Sequence, residues 1–456
     1  MRRILFVVIE SSLLLLCGFF ALYVRVLGDT AYELIERHGW MKIIVVTLVI
    51  QLAFYLFDLY DLPATRSYRR VVTNMTIALL VAAVLLSFLF YLVPALSLGR
   101  GIFLVMIAFS FGIIPSWRLL VAWSAGHPQF GVRERVLILG SGTQAIEVAR
   151  ATLERRNAGF HIVGFADSDP ALIGKSLINP SVIGLTVDVA ELVERFQVDR
   201  IVVAVEDRRG KFPTAELLDL TLSGRVAVEE CAQYYERLTG KIASEMLRPS
   251  WLIFSRGNRY SNLLHHIRRV LNAGLAVTGF ILSLPLMLMT AIAVKLDSPG
   301  PIFYTQERVG KNGRTFRIIK FRSMGTDAEK DGAVWATKSD PRVTRVGRII
   351  RKLRLDELPQ FINVIRGDMN FVGPRPERPV FVAQLEKEIP YYSQRHLVKP
   401  GLTGWAQIKY PYGASVEDAM EKLRYDLYYI KNQNLLLDAG IIFETVKTVL
   451  FGRGSR

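Results

Sequence analysis

Two adjacent carboxylates, Asp356 and Glu357, end a segment in which arginine recurs at every third position. These arginines are Arg342, Arg345, Arg348, Arg351 and Arg354. Guanidinium groups this close together repel each other, so they indicate a polyanionic partner, and each can bind phosphate through two parallel hydrogen bonds. Nearby positive charge keeps a carboxylate ionised, so Asp356 could act as a nucleophile or a metal ligand with support from Glu357. The alternative is a basic amphipathic helix with ordinary surface acids.

The composition limits the class of protein. The chain has 456 residues, of which 51% are hydrophobic, and it carries a formal net charge of +16 at pH 7. Such a basic chain binds an anionic partner, either nucleic acid or a membrane surface, and the long apolar runs favour the membrane. The two cysteines, Cys17 and Cys231, imply no disulfide framework. We therefore expect a protein that contacts a lipid bilayer and binds no nucleic acid.

Four apolar segments in the first third of the chain predict four transmembrane helices within residues 1–127. Each is close to the roughly 20 residues that cross a hydrocarbon core. The segments are 4–27, 43–60, 71–93 and 102–123. Basic residues precede the first segment, lie between the second and third, and follow the fourth, which places these regions in the cytoplasm. Glu10, in the first segment, either makes a functional polar contact or packs against a neighbouring helix.

Alternating strand and helix patterns predict a cytoplasmic domain with a parallel, Rossmann-like sheet at 128–258. The turn from Gly140 through Gly142 to Ala145 follows a strand and begins a helix, so its backbone amides could face a phosphate. Asp167 could accept a ribose hydroxyl, although it lies later than the usual position. Because tight turns need glycine without any ligand, a structural or regulatory use is favoured over cofactor chemistry.

A fifth apolar segment, at about 268–296, contains Ser283 and Pro285 near its middle. Its length alone would predict another span, but basic residues flank both ends and favour keeping both in the cytoplasm. Proline removes a helix hydrogen bond and bends the helix. We therefore predict a re-entrant helix, broken at Ser283 and Pro285, that enters one leaflet and returns. The alternative is a proline-kinked true span.

Four ordered motifs follow this segment: KFRSM at 320–324, LDELPQ at 355–360, GDMNFVGPRP at 367–376 and PGLTGWAQ at 400–407. Together they resemble the α-rich catalytic domain of the bacterial monotopic phosphoglycosyl transferases, also called polyprenyl-phosphate sugar-1-phosphate transferases. The resemblance runs from about Ser261 to the end of the sequence, and the catalytic domain is expected at 259–456. The whole arrangement, a membrane protein of mixed α and α/β class with four spans, a Rossmann-like domain and this domain, is similar to the large exopolysaccharide-initiating members of that family.

The resemblance implies an activity and its site. The chain is expected to transfer a sugar-1-phosphate from a UDP-sugar to undecaprenyl phosphate, release UMP and initiate exopolysaccharide or related glycan assembly. Asp356 matches the nucleophile, which forms a covalent phospho-sugar intermediate, and Glu357 matches its partner. Basic residues expected to contact phosphate or nucleotide are Arg351 and Arg375, with Lys320 and Arg322 as weaker candidates.

The resemblance also implies partners and a location. Mg²⁺ is expected to neutralise the diphosphate together with the arginines, with Asp356 as a ligand. A homodimer is expected, in the bacterial inner membrane, with the soluble domains facing the cytoplasm. One position departs from the pattern: smaller members carry an arginine in the loop after the last motif, where this chain has Lys409 and no arginine through Gly413. Lysine is not an equivalent bidentate donor, so the identity of the sugar stays open.

Two other functions agree with part of the sequence. Membrane-bound nucleotide-sugar dehydratases and epimerases also join four spans to a Rossmann domain. Their Tyr-x-x-x-Lys base is absent after Tyr234 and Tyr235, and they leave the motifs beyond residue 261 unexplained. A non-enzymatic scaffold of a polysaccharide assembly complex would leave Asp356 and Glu357 without a purpose.

Overall fold

The computed structural model describes residues 2–26, 34, 38–57, 59–60, 68–126, 134–155, 159–205, 212–243, 262–326, 328, 340–410, 413 and 415–450. By their contacts, the residues group into two compact units. One unit comprises Met1–Gly140, Thr152–Ile201 and Asp207–Val228, and the other comprises Ser141–Ala151, Val202–Glu206 and Glu229–Arg456. The predicted division into three domains at 128 and 259 stays a prediction.

Four long apolar helices begin the first unit. They are α1 (Arg2–Val26), α2 (Gly39–Leu56), α3 (Tyr68–Leu92) and α4 (Arg100–Gly126). Each is long and apolar enough to cross a membrane. Side chains such as Leu14, Ile50, Leu79 and Met106 form one buried cluster between them. Many of their exposed side chains are apolar as well, which fits helices that contact lipid. The structure therefore agrees with the predicted membrane protein.

A buried ion pair joins α1 to α4. Arg118 Nε and Nη2 donate to the two carboxylate oxygens of Glu10 at 2.7 and 2.9 Å. Arg118 Nη1 also donates to the carbonyl of Leu59 at 2.6 Å. A charge inside an apolar bundle is costly unless it is paired, so this pair helps to fix how the helices pack. Glu10 thus contacts a neighbouring helix through an ion pair, as one of the two alternatives predicted.

A parallel α/β sheet follows, as predicted. Its elements are β1 (Glu134–Leu139), α5 (Thr143–Glu154), β2 (Phe160–Asp167), β3 (Val182–Leu185), α6 (Val189–Phe196), β4 (Arg200–Val203), α7 (Thr214–Leu222), β5 (Ala227–Glu230) and α8 (Cys231–Thr239). The strand order is β3-β2-β1-β4-β5, and β2 pairs in parallel with both β1 and β3. Buried apolar residues fill β1 because helices cover both faces of such sheets.

The predicted re-entrant segment forms one continuous helix, α9 (Asn262–Asp297), of 36 residues. The helix continues through Ser283 and Pro285, and the predicted break at these residues stays a prediction. Proline removes one hydrogen bond, and the remaining bonds of so long a helix keep it helical. From His266 to Asp297 it is long and apolar enough to span a membrane. Length and composition do not distinguish a span from a re-entrant helix, so the re-entrant course stays a prediction.

The remaining elements are mostly short helices, with two small sheets that the sequence did not predict. They are β6 (Phe303–Val309), β7 (Thr315–Phe321), α10 (Arg345–Lys352), α11 (Phe361–Arg366), β8 (Asn370–Val372), α12 (Pro379–Glu388), β9 (Gly401–Thr403), α13 (Trp405–Lys409), α14 (Val416–Asn432) and α15 (Leu435–Leu450). Short 3₁₀ helices occupy Leu355–Gln360 and Tyr392–Leu397. Strands β6 and β7 form an antiparallel hairpin, whereas β8 and β9 pair in parallel.

Candidate active site

The carboxylate pair lies on the 3₁₀ helix Leu355–Gln360, between α10 and α11. Residues three apart share one face of a 3₁₀ helix. Leu355 and Leu358 share such a face and pack in a cluster that includes Met287 of α9. This apolar face holds the 3₁₀ helix against α9, so Asp356 and Glu357 lie off that face.

Two backbone features place this 3₁₀ helix. Arg354, immediately before it, has a left-handed backbone with φ 58°, which costs a non-glycine residue about 1 kcal/mol. The helix α10, which comes before Arg354, lies very close to the end of the KFRSM motif. A Cβ on Gly347 of α10 would lie 2.0 Å from the carbonyl oxygen of Ser323. The Thr344 side chain caps α10 by accepting a hydrogen bond from Gly347 N at 2.9 Å. These contacts fix the direction in which the backbone enters the 3₁₀ helix that carries the two carboxylates.

Glu357 is the carboxylate held by cations. Its Oε1 accepts hydrogen bonds from Arg375 Nη2 at 2.8 Å and from Lys320 Nζ at 3.4 Å. Arg354 Nη1 lies 3.9 Å from its Oε2. Burial by itself raises the pKa of Glu357, but the charges of Arg375, Lys320 and Arg354 outweigh burial and hold the pKa well below its usual range. Glu357 is therefore ionised at neutral pH.

Asp356, the residue before Glu357, has its pKa shifted in the opposite direction. Burial raises the pKa of Asp356 to about 6, and the negative charge of Glu357 adds to the rise. The positive charges of Lys320, Arg351 and Arg375 oppose it. Environments that push two neighbouring carboxyl pKa values apart are typical of sites where the two groups have different tasks. At pH 7 Asp356 is mostly ionised but poorly solvated, which suits a nucleophile.

Lys320 reaches the pair because Asn363 fixes the strand that carries it. Asn363, fully buried on α11, accepts a hydrogen bond from Ile319 N at 3.0 Å and donates to the carbonyl of Arg317 at 2.8 Å. Burial lowers the pKa of Lys320, and the charge of Glu357 opposes that change. Sequence reasoning missed Asn363. The feature of the sequence that could have indicated Asn363 is a single amide side chain within the apolar run FINVI at 361–365.

Arg375 lies in a segment, 374–377, whose carbonyls are each held by a hydrogen bond. In order along the segment, the donors are Gly401 N at 2.9 Å, Arg395 Nη2 at 2.9 Å, Arg308 Nη1 at 3.1 Å and Val309 N at 2.9 Å. Pro374 and Pro376 have no backbone N–H, so the carbonyls are the backbone groups by which these two residues can be held. The segment is thus rigid, and Arg375 extends from it towards Glu357.

Three glycines let two of the sequence motifs touch each other. A Cβ on Gly401 would lie 2.1 Å from the backbone nitrogen of Gly373, and one on Gly404 would lie 2.2 Å from the carbonyl oxygen of Gly373. At this point β8 pairs with β9. Side chains at these positions would separate the two motifs, and the segment that carries Arg375 would shift with them.

The other predicted residues have different surroundings. Arg322 is buried, and its guanidinium donates to the carbonyls of Pro299 and Ser298 at 2.6 and 2.7 Å, so a phosphate would compete with these bonds. Lys409 Nζ lies 4.7 Å from the centre of the Trp405 ring. Gly140, with φ 108°, follows β1 in a conformation that favours glycine, and the structural or regulatory use of the Gly140 and Gly142 turn stays a prediction.

Within the described part of the chain, no group of three or more His, Cys, Asp or Glu residues could hold a metal ion. This does not conflict with Mg²⁺, which is commonly held by one or two carboxylates together with substrate phosphates. Because Arg375 and Lys320 occupy Glu357, Asp356 is the carboxylate of the pair that fits such a ligand.

Two protein-family profiles match the chain. Residues 263–452 match the bacterial sugar transferase family, and residues 55–211 match a CoA-binding domain. The crystal structure of RSP, a Rex-family repressor, matches 27% of this chain and 73% of that chain at 16% identity, with a TM-score of 0.18. Such a score does not establish a shared fold.

The curated proteins that are similar in sequence include the following three. A UDP-N-acetylgalactosamine-undecaprenyl-phosphate N-acetylgalactosaminephosphotransferase of Aeromonas hydrophila is 47% identical over 51% of this chain, and this chain spans about half of it, 54%. A putative undecaprenyl-phosphate N-acetylgalactosaminyl 1-phosphate transferase of Bacillus subtilis (strain 168) is 54% identical over 28% of this chain and 72% of its own length. An undecaprenyl-phosphate glucose phosphotransferase of Komagataeibacter xylinus is 32% identical over 80% of this chain and 72% of its own length.

Proposed function

Because this chain belongs to the bacterial sugar transferase family, we propose that it transfers a sugar-1-phosphate from a UDP-sugar to undecaprenyl phosphate. The names of the three relatives contain undecaprenyl phosphate, and one contains a UDP-sugar. The observation that carries the proposal is the adjacent pair Asp356 and Glu357, in which Glu357 accepts hydrogen bonds from Arg375 and Lys320, cations that suit a diphosphate. The product is the lipid-linked sugar on which a glycan is assembled.

In the first displacement, an Asp356 carboxylate oxygen attacks the β-phosphorus of the UDP-sugar. The bond from that phosphorus to the bridging oxygen breaks, and UMP leaves with the bonding electron pair. An aspartyl phospho-sugar remains on the enzyme. Arg375, Lys320 and Arg351 stabilise negative charge that develops on the phosphoryl and leaving oxygens.

In the second displacement, a phosphate oxygen of undecaprenyl phosphate attacks the same phosphorus. The bond to Asp356 breaks, which releases undecaprenyl diphosphate sugar and restores the carboxylate. Two displacements allow a soluble donor and a bilayer acceptor to react in turn at one residue. Glu357 has too low a pKa to be an effective proton acceptor at neutral pH, so its task is to orient Arg375 and Lys320.

Mg²⁺ is part of the proposal, with Asp356 and the donor phosphates as its ligands. When bound, it neutralises charge on the diphosphate. The proposed location is the bacterial inner membrane, with α1 to α4 as spans, the soluble parts in the cytoplasm, where the donor is available, and a homodimeric assembly.

The test is a UMP-release assay with purified full-length protein in lipid, Mg²⁺, undecaprenyl phosphate and a panel of UDP-hexoses and UDP-N-acetylhexosamines. We expect UMP, rather than UDP, to form with a subset of the panel, together with an equal amount of lipid-linked sugar. The proposal is refuted if none of the donors in the panel yields UMP. Conversion of the sugar with bound NAD and no UMP would instead indicate the dehydratase or epimerase alternative.

A further inference from the structure

A second buried ion pair lies close to the proposed site and takes no part in the two displacements. Arg395, on the 3₁₀ helix Tyr392–Leu397, has its Nη2 2.9 Å from Oδ2 of Asp426 on α14. The two side chains are 6% and 2% exposed. A buried pair contributes little net stability, because the loss of hydration offsets the attraction, so its presence requires another reason.

The reason is visible in what else Arg395 contacts. The same Nη2 donates to the backbone carbonyl of Arg375 at 2.9 Å, and Nη1 donates to the hydroxyl of Tyr392 at 2.5 Å. Asp426 and Tyr392 thus fix the planar guanidinium, which then holds one particular carbonyl. Arg375 in turn donates to Glu357 at 2.8 Å, so a continuous chain of contacts runs from Asp426 to the carboxylate pair.

Arg375 depends on such support more than most residues do. The prolines on both sides of it lack backbone N–H groups, so the segment has few ways to be held other than its carbonyls. Of the four carbonyls in 374–377, the one that belongs to Arg375 itself is held by a side chain that is almost fully buried. A fixed backbone at this residue limits where its guanidinium can lie.

The helix that carries Asp426 is itself fixed. Arg424, two residues earlier on α14, donates to Glu147 of α5 and to the Tyr235 hydroxyl of α8, both at 2.8 Å. It also donates to the carbonyl of Ile242 at 2.8 Å. Asp426 therefore extends from an element that cannot rotate without breaking several hydrogen bonds.

We propose that Arg395 and Asp426 are positioning residues, which hold the backbone of Arg375 so that its guanidinium meets Glu357 and the donor diphosphate. This inference rests on the proposed function. Arg395 acts through the carbonyl of Arg375, because its guanidinium is bonded to that carbonyl, to Asp426 and to the Tyr392 hydroxyl. Asp426 acts one step further away, because it orients Arg395.

The experiment is a double-mutant cycle on UMP release by the full-length protein. Arg395→Lys keeps a positive charge beside Asp426 but loses the planar fork that reaches both partners. We expect it to lower kcat/KM about 10- to 100-fold when Arg375 is present, as expected for a small misplacement of a binding group. In the Arg375→Ala background the further loss should be below about 3-fold, because no guanidinium remains to be positioned.

A control comes from an ion pair in the first unit. Arg200 of β4 and Glu134 of β1 are 2.7 Å apart. Arg200→Lys disturbs this pair, which is not among the donors to the carbonyls of 374–377. Whatever loss it causes should therefore be the same in the Arg375 and Arg375→Ala backgrounds. The melting temperature of every variant separates loss of folding from loss of positioning.

Asp426→Asn changes the other residue of the pair. If Arg395→Lys does not fold, Asp426→Asn takes its place in the double-mutant cycle. Equal losses in the two Arg375 backgrounds, for a variant with a native melting temperature, would assign the pair to general stability and overturn the inference. If the protein without substitutions releases no UMP from any donor, the proposed function is refuted instead. The two failures are therefore distinguishable.

Discussion

Asp356 and Glu357 have the same chemical group and adjacent positions, yet their surroundings give them different properties. Glu357 contacts Arg375 and Lys320, whereas burial and the charge of Glu357 raise the pKa of Asp356 to about 6. The sequence predicted the pair and the cations because residue types and motif order carry that information. It could not predict which carboxylate has the lower pKa, because Lys320 and Arg375 come from separate segments of the chain.

Lys320→Met tests this electrostatic arrangement. In the native protein we expect kcat/KM for UMP release to fall as the pH drops through about 6, because protonation removes the nucleophile. The charge of Lys320 lowers the pKa values of both carboxyl groups, so its removal should move this acid limb to higher pH. The matched control is Lys352→Met on the exposed face of α10, which should leave the limb in place. An unmoved limb in folded Lys320→Met would contradict the assignment.

Among the secondary-structure elements, the short pair β8 and β9 positions the segment that carries Arg375. Its strands approach so closely that Gly373, Gly401 and Gly404 have no room for side chains. The motifs containing these glycines were recognisable in the sequence, but their mutual contact was not, because β8 and β9 are separated by α12 and a 3₁₀ helix. Arg322 illustrates the same limit. Its place in a motif predicted phosphate binding, which stays a prediction, but the motif did not reveal that its guanidinium holds the turn that follows α9.

Gly401→Ala should disturb both stability and transfer. The new Cβ would overlap the backbone of Gly373, so the free energy of unfolding should fall by about 1–3 kcal/mol, the usual cost of overpacking. The rate of UMP release should fall even in the fraction of the protein that stays folded, because the segment carrying Arg375 moves. The control is Gly440→Ala in α15, where a Cβ meets nothing within 4 Å and removal of a helical glycine stabilises by up to about 1 kcal/mol. Native stability and activity in Gly401→Ala would show that β8 and β9 can separate without harm.

At the scale of the whole molecule, five helices among the residues that the structure describes are long and apolar enough to cross a membrane. The sequence located the first four to within a few residues, because apolar length is a local property. It also predicted the parallel sheet from alternating strands and helices. The course of α9 depends on the bilayer and on basic residues at both ends, so its continuous helical backbone leaves the re-entrant prediction open to experiment.

Single cysteines, in a background where Cys17 and Cys231 are replaced, can report this course. Asn312→Cys lies in the exposed turn between β6 and β7, beyond the C-terminal end of α9. If α9 is re-entrant, this cysteine should be shielded from an impermeant thiol reagent in intact cells and react once the inner membrane is opened. Ala95→Cys, between α3 and α4, should react from outside and serves as the positive control. Labelling of Asn312→Cys from outside would show a fifth span and separate the site from its donor.

The central claim is that Asp356 carries the sugar-phosphate during the reaction, and trapping that intermediate tests it most directly. Purified native protein is mixed with its preferred UDP-sugar and Mg²⁺ without undecaprenyl phosphate, and its peptides are then mapped by mass spectrometry. We predict one phospho-sugar on the peptide that contains Asp356, UMP in equal amount, and loss of the adduct when undecaprenyl phosphate is added. Folded Asp356→Asn should form no adduct and lose more than about 10³-fold in turnover, beyond a typical acid–base contribution. An adduct on another residue, or substantial turnover by Asp356→Asn free of deamidation, would contradict the account.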